Sequence, residues 1–172
     1  MKITAVKGFP VHVGHRNQFV VKVETDEGIS GIGEGGISGR ELAMMGMLDH
    51  FRTLLLGQDP HRIEHLWQLM YRGAYFEGGK ITAAVVSAVD IALWDILGKS
   101  LGVPVWQLLG GRVRDRVPCF ATPGPLAGPD IVEIALKAVD DGWEVLRFLP
   151  AMPGAGWTGG DGAIYEPLDS ID

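Results

Sequence analysis

A long apolar helix and its exit decide the fold: the chain reads SAVDIALWDILGK from Ser87 to Lys99 and PVWQLLGG from Pro104 to Gly111. Apolar residues occur on all sides of this helix, which is typical of a helix buried in a core. Asp90 and Asp95 interrupt the pattern. A carboxylate is costly to bury unless it is hydrogen-bonded, so we expect each to have a partner or to reach water. Gly102 is expected to cap the C-terminus of the helix, with Pro104 just beyond it.

The residues before this helix predict a small antiparallel sheet. Strands are predicted over 2–13, 18–25 and 29–34, because these stretches are rich in Val, Ile and Thr. Short turns separate them, at Gly14–Asn17 and at Asp26–Gly28. The three strands therefore form a meander.

Two helices are predicted between the sheet and the core helix. Ser38 and Glu41 fit a capping box, in which the serine caps the helix and the glutamate reaches back to it. This helix is expected to end at Gly57, and Asp59 and Pro60 are expected to start the next one. Together with the meander, they predict an α+β domain.

The pattern changes after Gly111. A short strand (117–121), a helix (130–141) and a second strand (143–148) follow one another, which is typical of a parallel crossover unit. Cys119 is expected to be a small buried residue of the first strand. One crossover unit cannot bury both faces of its strands, so we expect the sequence to hold only the start of a barrel.

Composition excludes several classes of protein. The 172 residues carry a net charge of -6 without a basic block, so we do not expect the protein to bind nucleic acid. No uninterrupted apolar run reaches the ~18 residues needed to span a membrane, and we expect no membrane partner. The single cysteine, Cys119, excludes an internal disulfide framework and is consistent with a reducing cytoplasm.

Several sequence strings along the chain are specific when taken together. They are KVETDEG (22–28), GIGE (31–34), GQDP (57–60), YRGAYF (71–76), the core helix and WQLLGG (106–111). With them, the whole chain resembles the mandelate racemase and muconate lactonizing branch of the enolase superfamily, and within that branch it is most similar to the acid-sugar dehydratases of the mannonate and galactonate type. The resemblance implies a capping domain over residues 1–113 and the first elements of a (β/α) TIM-like barrel over 114–172.

The resemblance also implies a reaction. The family uses Mg²⁺ to stabilise the enolate formed when a base removes the proton α to a carboxylate, so a Mg²⁺-dependent lyase that dehydrates a sugar acid is expected. Its metal ligands lie at the ends of the third, fourth and fifth barrel strands, so no ligand is assigned in this chain. We therefore expect residues 1–172 alone to be inactive and the whole enzyme to be a homo-oligomer. A racemase or cycloisomerase of the same superfamily, or a non-catalytic truncated relative, are the alternatives.

The resemblance assigns seven site residues. Arg147 matches an arginine that mannonate dehydratases pair with a tyrosine, in place of the lysine pair of the racemases. Trp157 stands near that tyrosine position, and Tyr165 matches another family tyrosine. Arg147 could instead form a structural ion pair, Ser38 could act only as a helix cap, and the loop residues could belong to plain turns. The expected catalytic residues are Arg147 and Tyr165, and the expected substrate-binding residues are Asn17, Ser38, Tyr75, Phe76 and Thr122.

Overall fold

The computed structural model describes residues 1–14, 16–76, 78–122 and 131–147. The chain divides into two compact units, Met1–Val113 and Arg114–Asp172, here called the first and the second unit.

The first unit begins with the predicted meander. Strands β1 (Ile3–Val13), β2 (Arg16–Thr25) and β3 (Ser30–Gly35) form an antiparallel sheet in the order β1-β2-β3. β3 pairs only with the part of β2 from Phe19 to Glu24. The start of β2 and the end of β1 therefore extend beyond β3 as a two-stranded hairpin.

Among the described residues, four helices follow the sheet in the first unit and a fifth lies in the second. Their bounds are α1 (Glu41–Leu55), α2 (Ile63–Arg72), α3 (Lys80–Leu101), α4 (Val105–Leu108) and α5 (Ile131–Asp140). The order of elements agrees with the α+β capping architecture predicted from the sequence.

The predicted starts of α1 and α2 are wrong in detail. α1 begins after Arg40, and no side chain caps it, so the capping box led by Ser38 does not form. The Ser38 hydroxyl instead accepts a hydrogen bond from the Asn17 backbone N–H. α2 begins at Ile63, because Asp59 forms a turn in which its carboxylate accepts the His61 N–H at 3.0 Å.

The core lies between the sheet and α3. Phe19, Val21 and Val23 of β2 are completely buried. α3 approaches β3 so closely that a Cβ built on Gly31 would lie 1.9 Å from the Ala92 carbonyl oxygen. Such proximity requires glycine on the strand, and it places the backbone of α3 directly on β3.

α3 is the helix of the described residues that is long and apolar enough to cross a membrane. Its most apolar window has a mean hydropathy of 1.7. This window contains no unbroken apolar run of that length, because two aspartates interrupt it. Eight of its residues are buried inside the first unit. Packing within this unit accounts for the apolar character of α3.

The two aspartates of α3 have different environments. The Asp95 carboxylate accepts the Ile32 backbone N–H of β3 at 3.0 Å and pairs with Lys99 at 2.7 Å, so it has the bonding partners that its position in the core helix predicts. Asp90 is half-buried; burial raises the pKa of its carboxyl, and the charge of Glu64 raises it further. Gly102 ends α3 with a φ of +68°, as the predicted C-cap requires.

The second unit contains one parallel bridge between Ala121 and Leu146, with α5 between them in sequence. The two predicted strands are present only as this bridge among the described residues. Cys119 is exposed, so its predicted burial is wrong. The physical reason is that no further described strand pairs beside this segment to cover it.

Candidate functional site

The strand register brings three loop segments to one end of the first unit. Phe19 at the start of β2 pairs with Gly35 at the end of β3, and a Cβ on Gly35 would lie 3.4 Å from the Ala84 carbonyl oxygen near the start of α3. The hairpin turn, the segment after β3 and the loop before α3 therefore share this end. Asn17 at the start of β2 and the loop residues Ser38, Tyr75 and Phe76, which are the expected substrate-binding residues of this unit, lie in or beside these segments.

Asn17 and Ser38 are in direct contact. The Asn17 backbone N–H donates to the Ser38 hydroxyl oxygen at 3.1 Å. The Asn17 side-chain oxygen lies 2.9 Å from Nδ1 of His12, its cross-strand partner in the β1–β2 register. Both ends of Asn17 are thus held, one by the segment after β3 and the other by β1.

Glu41 joins this group from the first residue of α1. Its carboxylate accepts the Gly39 backbone N–H at 2.6 Å, and the residue is 9% exposed. Its own backbone N–H and that of Gly39 lower the pKa of the Glu41 carboxyl, and the Asn17 side chain and the charge of Arg40 lower it further. Glu41 therefore carries its negative charge at neutral pH.

Sequence reasoning missed two members of this group as site residues. Glu41 was expected to reach back only within a capping box, and His12 was not considered. The short turn at Gly14 could have predicted the contact of His12, because a short turn sets the register of the hairpin and makes His12 and Asn17 cross-strand neighbours.

Tyr75 and Phe76 form an exposed aromatic pair in the loop before α3. Their rings lie edge to face with centroids 5.3 Å apart. Tyr75 is 95% exposed and Phe76 is 82% exposed. Large aromatic groups with so little cover are available to contact a ligand or a neighbouring protein surface.

Thr122 and Arg147 lie next to each other at the end of the parallel bridge in the second unit. The Arg147 backbone N–H donates to the Ala121 carbonyl at 2.9 Å, and the Ala121 N–H donates to Val145 at 3.0 Å. The Arg147 guanidinium lies 5.7 Å from the centre of the Phe120 ring. No described acidic side chain forms an ion pair with it.

A cavity of about 550 Å³ lies beside this bridge and against α5. Thr122 contributes to it, whereas Arg147 does not. Its lining combines apolar side chains with the charged groups of Lys137 and Asp141. The lining residues are Phe120, Ala121, Thr122, Ile134, Lys137, Ala138, Asp141 and Trp143.

Two further predictions concern the residues Tyr165 and Trp157 and the metal ion. Tyr165, and Trp157 with it, are outside the described residues. Within the described ranges, no group of three or more His, Cys, Asp or Glu side chains is arranged to hold a metal ion.

Residues 6–110 match the family model of the mandelate racemase / muconate lactonizing enzyme, N-terminal domain. The chain belongs to this family. The match covers the three-stranded sheet and helices α1 to α4 almost completely, and it agrees with the α+β architecture of the first unit.

Curated relatives within this family are sugar-acid dehydratases. The chain is 42% identical to a D-mannonate dehydratase of Rhizorhabdus wittichii, over 99% of this chain and 43% of that protein. It is 40% identical to the D-galactonate dehydratase family member Mmwyl1_0037 of Marinomonas sp., again over 99% of this chain and 43% of the relative. The chain thus spans less than half the length of these relatives.

A solved structure has the same fold. It is an enolase from Pantoea ananatis with bound D-gluconate and Mg, which matches with a TM-score of 0.79 and 33% identity. The match covers 86% of this chain and 36% of that one.

Proposed function

We propose that the protein containing this chain is an acid-sugar dehydratase, a lyase that removes the proton α to a carboxylate and expels a hydroxyl group. The observation that carries the proposal is the position of Arg147 after a parallel bridge, next to Thr122 and without a described acidic partner. In barrels, catalytic groups lie at the C-terminal ends of the strands. The names of the Rhizorhabdus and Marinomonas relatives support a sugar acid as substrate.

Magnesium belongs to the proposal for the whole protein. When bound, Mg²⁺ would act as a Lewis acid that stabilises developing negative charge on the substrate. The described residues do not fit such an ion, because they bring no three metal-binding side chains together. Any magnesium site of the enzyme therefore uses other residues, and no role of the described residues depends on it.

Arg147 would act through its guanidinium. This group is planar and presents several N–H donors in a fixed arrangement, which suits a carboxylate or a hydroxyl that is leaving as an anion. Stacking over Phe120 restricts its orientation without neutralising its charge. We assign Arg147 to positioning and stabilising charge on the substrate, with Thr122 as a neighbouring hydroxyl donor and Tyr165 as a candidate partner.

The test replaces Arg147 in the purified whole protein and measures Mg²⁺-dependent dehydration of D-mannonate, D-galactonate and D-gluconate. Arg147→Met is expected to reduce turnover by about 100-fold or more, as loss of an electrostatic donor does. Arg147→Lys should restore only part of this loss, because an ammonium group keeps the charge but not the planar donor set. Arg116→Met is the matched control, since Arg116 is an exposed arginine of the same unit.

Two results would contradict the proposal. Normal turnover by Arg147→Met, with a lowered melting temperature, would make Arg147 a structural residue. Exchange of the α-hydrogen with solvent deuterium without loss of water would instead favour the racemase alternative. A 172-residue preparation is expected to show no Mg²⁺-dependent turnover, and robust activity would refute the requirement for further residues.

Location and assembly are also proposals. We propose a cytoplasmic homo-oligomer acting on a small sugar acid; the single cysteine supports the reducing compartment. Sedimentation of the whole protein would test the assembly, and a purely monomeric species would refute it.

A further inference from the structure

The segment that holds Asn17 is itself bonded to a buried carboxylate that the proposed chemistry does not use. Glu41 is the buried charged residue among the described side chains of the first unit, and its carboxylate faces the segment after β3. A carboxylate is buried at a cost unless donors surround it. Here the Gly39 N–H donates to the carboxylate at 2.6 Å, and the Glu41 backbone N–H and the nearby Asn17 side chain also favour its charged form.

These groups belong to three different segments. Gly39 lies between β3 and α1, Asn17 lies at the start of β2, and Glu41 is on α1. The Glu41 carboxylate thus fixes Gly39, and the adjacent Ser38 connects this segment to the projecting hairpin. The hairpin needs such a connection, because β3 supports β2 only from Phe19 onward.

The connection extends to the two expected substrate-binding residues. Gly39 directly follows Ser38, and the Ser38 hydroxyl accepts the Asn17 backbone N–H. Movement of Gly39 away from Glu41 would carry Ser38 with it and would lengthen the contact with Asn17. His12 holds only the side-chain oxygen of Asn17, so it cannot replace this connection.

We propose that Glu41 is a positioning residue, which holds Asn17 and Ser38 in one arrangement for recognition of a sugar-acid hydroxyl group. This inference rests on the proposed function for the nature of the ligand, but not for the existence of the connection. Glu41 acts through Asn17 and Ser38 and is not assigned a contact with the substrate.

The first measurement uses amide hydrogen exchange by NMR on the 172-residue chain, and therefore needs no activity. Glu41→Ala is expected to accelerate exchange of the Asn17 and Gly39 amides by about tenfold, as loss of a charge-assisted hydrogen bond allows. Amides of the buried strand residues Val21 and Val23 should keep their protection. Glu41→Gln retains one acceptor oxygen and should recover part of the protection.

The matched control is Glu64→Ala. Glu64 is also an acidic residue in the first turn of a helix, so its loss removes a similar interaction with the helix dipole. It lies on α2 and has no described hydrogen bond to the hairpin. Its replacement should leave the Asn17 and Gly39 amides unchanged.

The second measurement uses steady-state kinetics of the whole protein on the sugar acid that it dehydrates. Glu41→Ala should raise KM by about tenfold and lower kcat by a smaller factor, because substrate binding is disturbed more than the chemical step. Glu41→Gln should recover part of the KM.

The outcomes separate this inference from the proposed function. Unchanged exchange at Asn17 and Gly39, or equally accelerated exchange at Val21 and Val23, would overturn the positioning role. A change in kcat without a change in KM would also overturn it. If the unmodified whole protein dehydrates no sugar acid, the proposed function fails, while the exchange experiment still decides whether Glu41 holds the two residues.

Discussion

Replacing Gly33 by alanine tests the close contact on which the first unit is built. A Cβ on Gly33 would lie 2.0 Å from the Ala88 carbonyl oxygen and 2.9 Å from the Ala88 carbonyl carbon. Both atoms belong to the backbone of α3, so no change of rotamer can relieve the overlap. Gly33 has no positive φ, and therefore the effect of alanine is purely steric.

The size of the effect follows from the displacement that alanine requires. An ordinary contact between nonbonded heavy atoms is about 3.5 Å, so α3 must move away from β3 by roughly 1 Å or more. A gap of about 0.5–1 Å already forfeits a quarter to a half of the dispersion energy of the atoms on either side. The loss would extend along the buried face of α3, which includes Val85, Val89 and Leu93. We expect the free energy of unfolding to fall by about 3 kcal/mol, at the upper end for overpacked cores.

The assay is urea unfolding of the 172-residue chain, followed by circular dichroism and tryptophan fluorescence. At roughly 2–4 °C per kcal/mol for a chain of this size, the same change corresponds to a melting temperature lowered by about 6–12 °C. Gly46→Ala is the control, because Gly46 is an exposed residue inside α1 and a Cβ there would meet nothing within 4 Å. It should raise the stability by about 0.5–1 kcal/mol.

A loss below about 1 kcal/mol for Gly33→Ala would refute this reasoning, since overpacking of a rigid core costs more than that. The same conclusion would follow if Gly46→Ala destabilised the chain equally. In either case α3 and β3 would not be in the close contact that the fold requires.

Three further predictions concern contacts in the first unit. Asp95→Ala should lower the free energy of unfolding by about 1–3 kcal/mol, because the Ile32 N–H loses a charged acceptor; Asp95→Asn retains an acceptor oxygen and should cost less in the same urea assay, and an equal loss would contradict the role of that hydrogen bond. Gly102→Ala should cost about 1 kcal/mol, because alanine is strained at a φ of +68°, and a neutral result in thermal unfolding would exclude that strain. Hydrogen bonds from Lys22, and to a smaller extent from Lys7, lower the pKa of Glu24 to about 2. The ionised Glu24 carboxylate therefore stabilises the fold fully above the usual pKa of 4.5, and this stabilisation is lost as the pH falls toward 2. NMR titration should give this pKa and should show it rising in 1 M salt, which screens exposed pairs; a salt-independent value near 4.5 would refute the pairing.

Local patterns predicted the secondary structure well where the interactions are short-range. The strands of the meander, the turn at Gly14 and the C-cap at Gly102 depend on alternation of apolar residues and on glycine conformations, and both are visible in the sequence. The start of α1 was predicted incorrectly because Ser38 had two possible partners. The helix N–H groups are local, whereas Asn17 is brought to Ser38 only by the folded hairpin.

The candidate site likewise has one part that the sequence predicted and another part that only the structure shows. The chain order and the family resemblance were enough to assign Arg147 to the end of a parallel strand. Only the structure shows that its guanidinium contacts Phe120 and has no described acidic partner. Residue identity alone determined which chemical groups are available, because donors and acceptors are properties of the side chains. The tertiary structure alone decided that Asn17 meets Ser38 beside Glu41, since a hydrogen bond between distant segments depends on the positions of β2 and of the segment after β3 in the folded chain, and no local pattern encodes that distance.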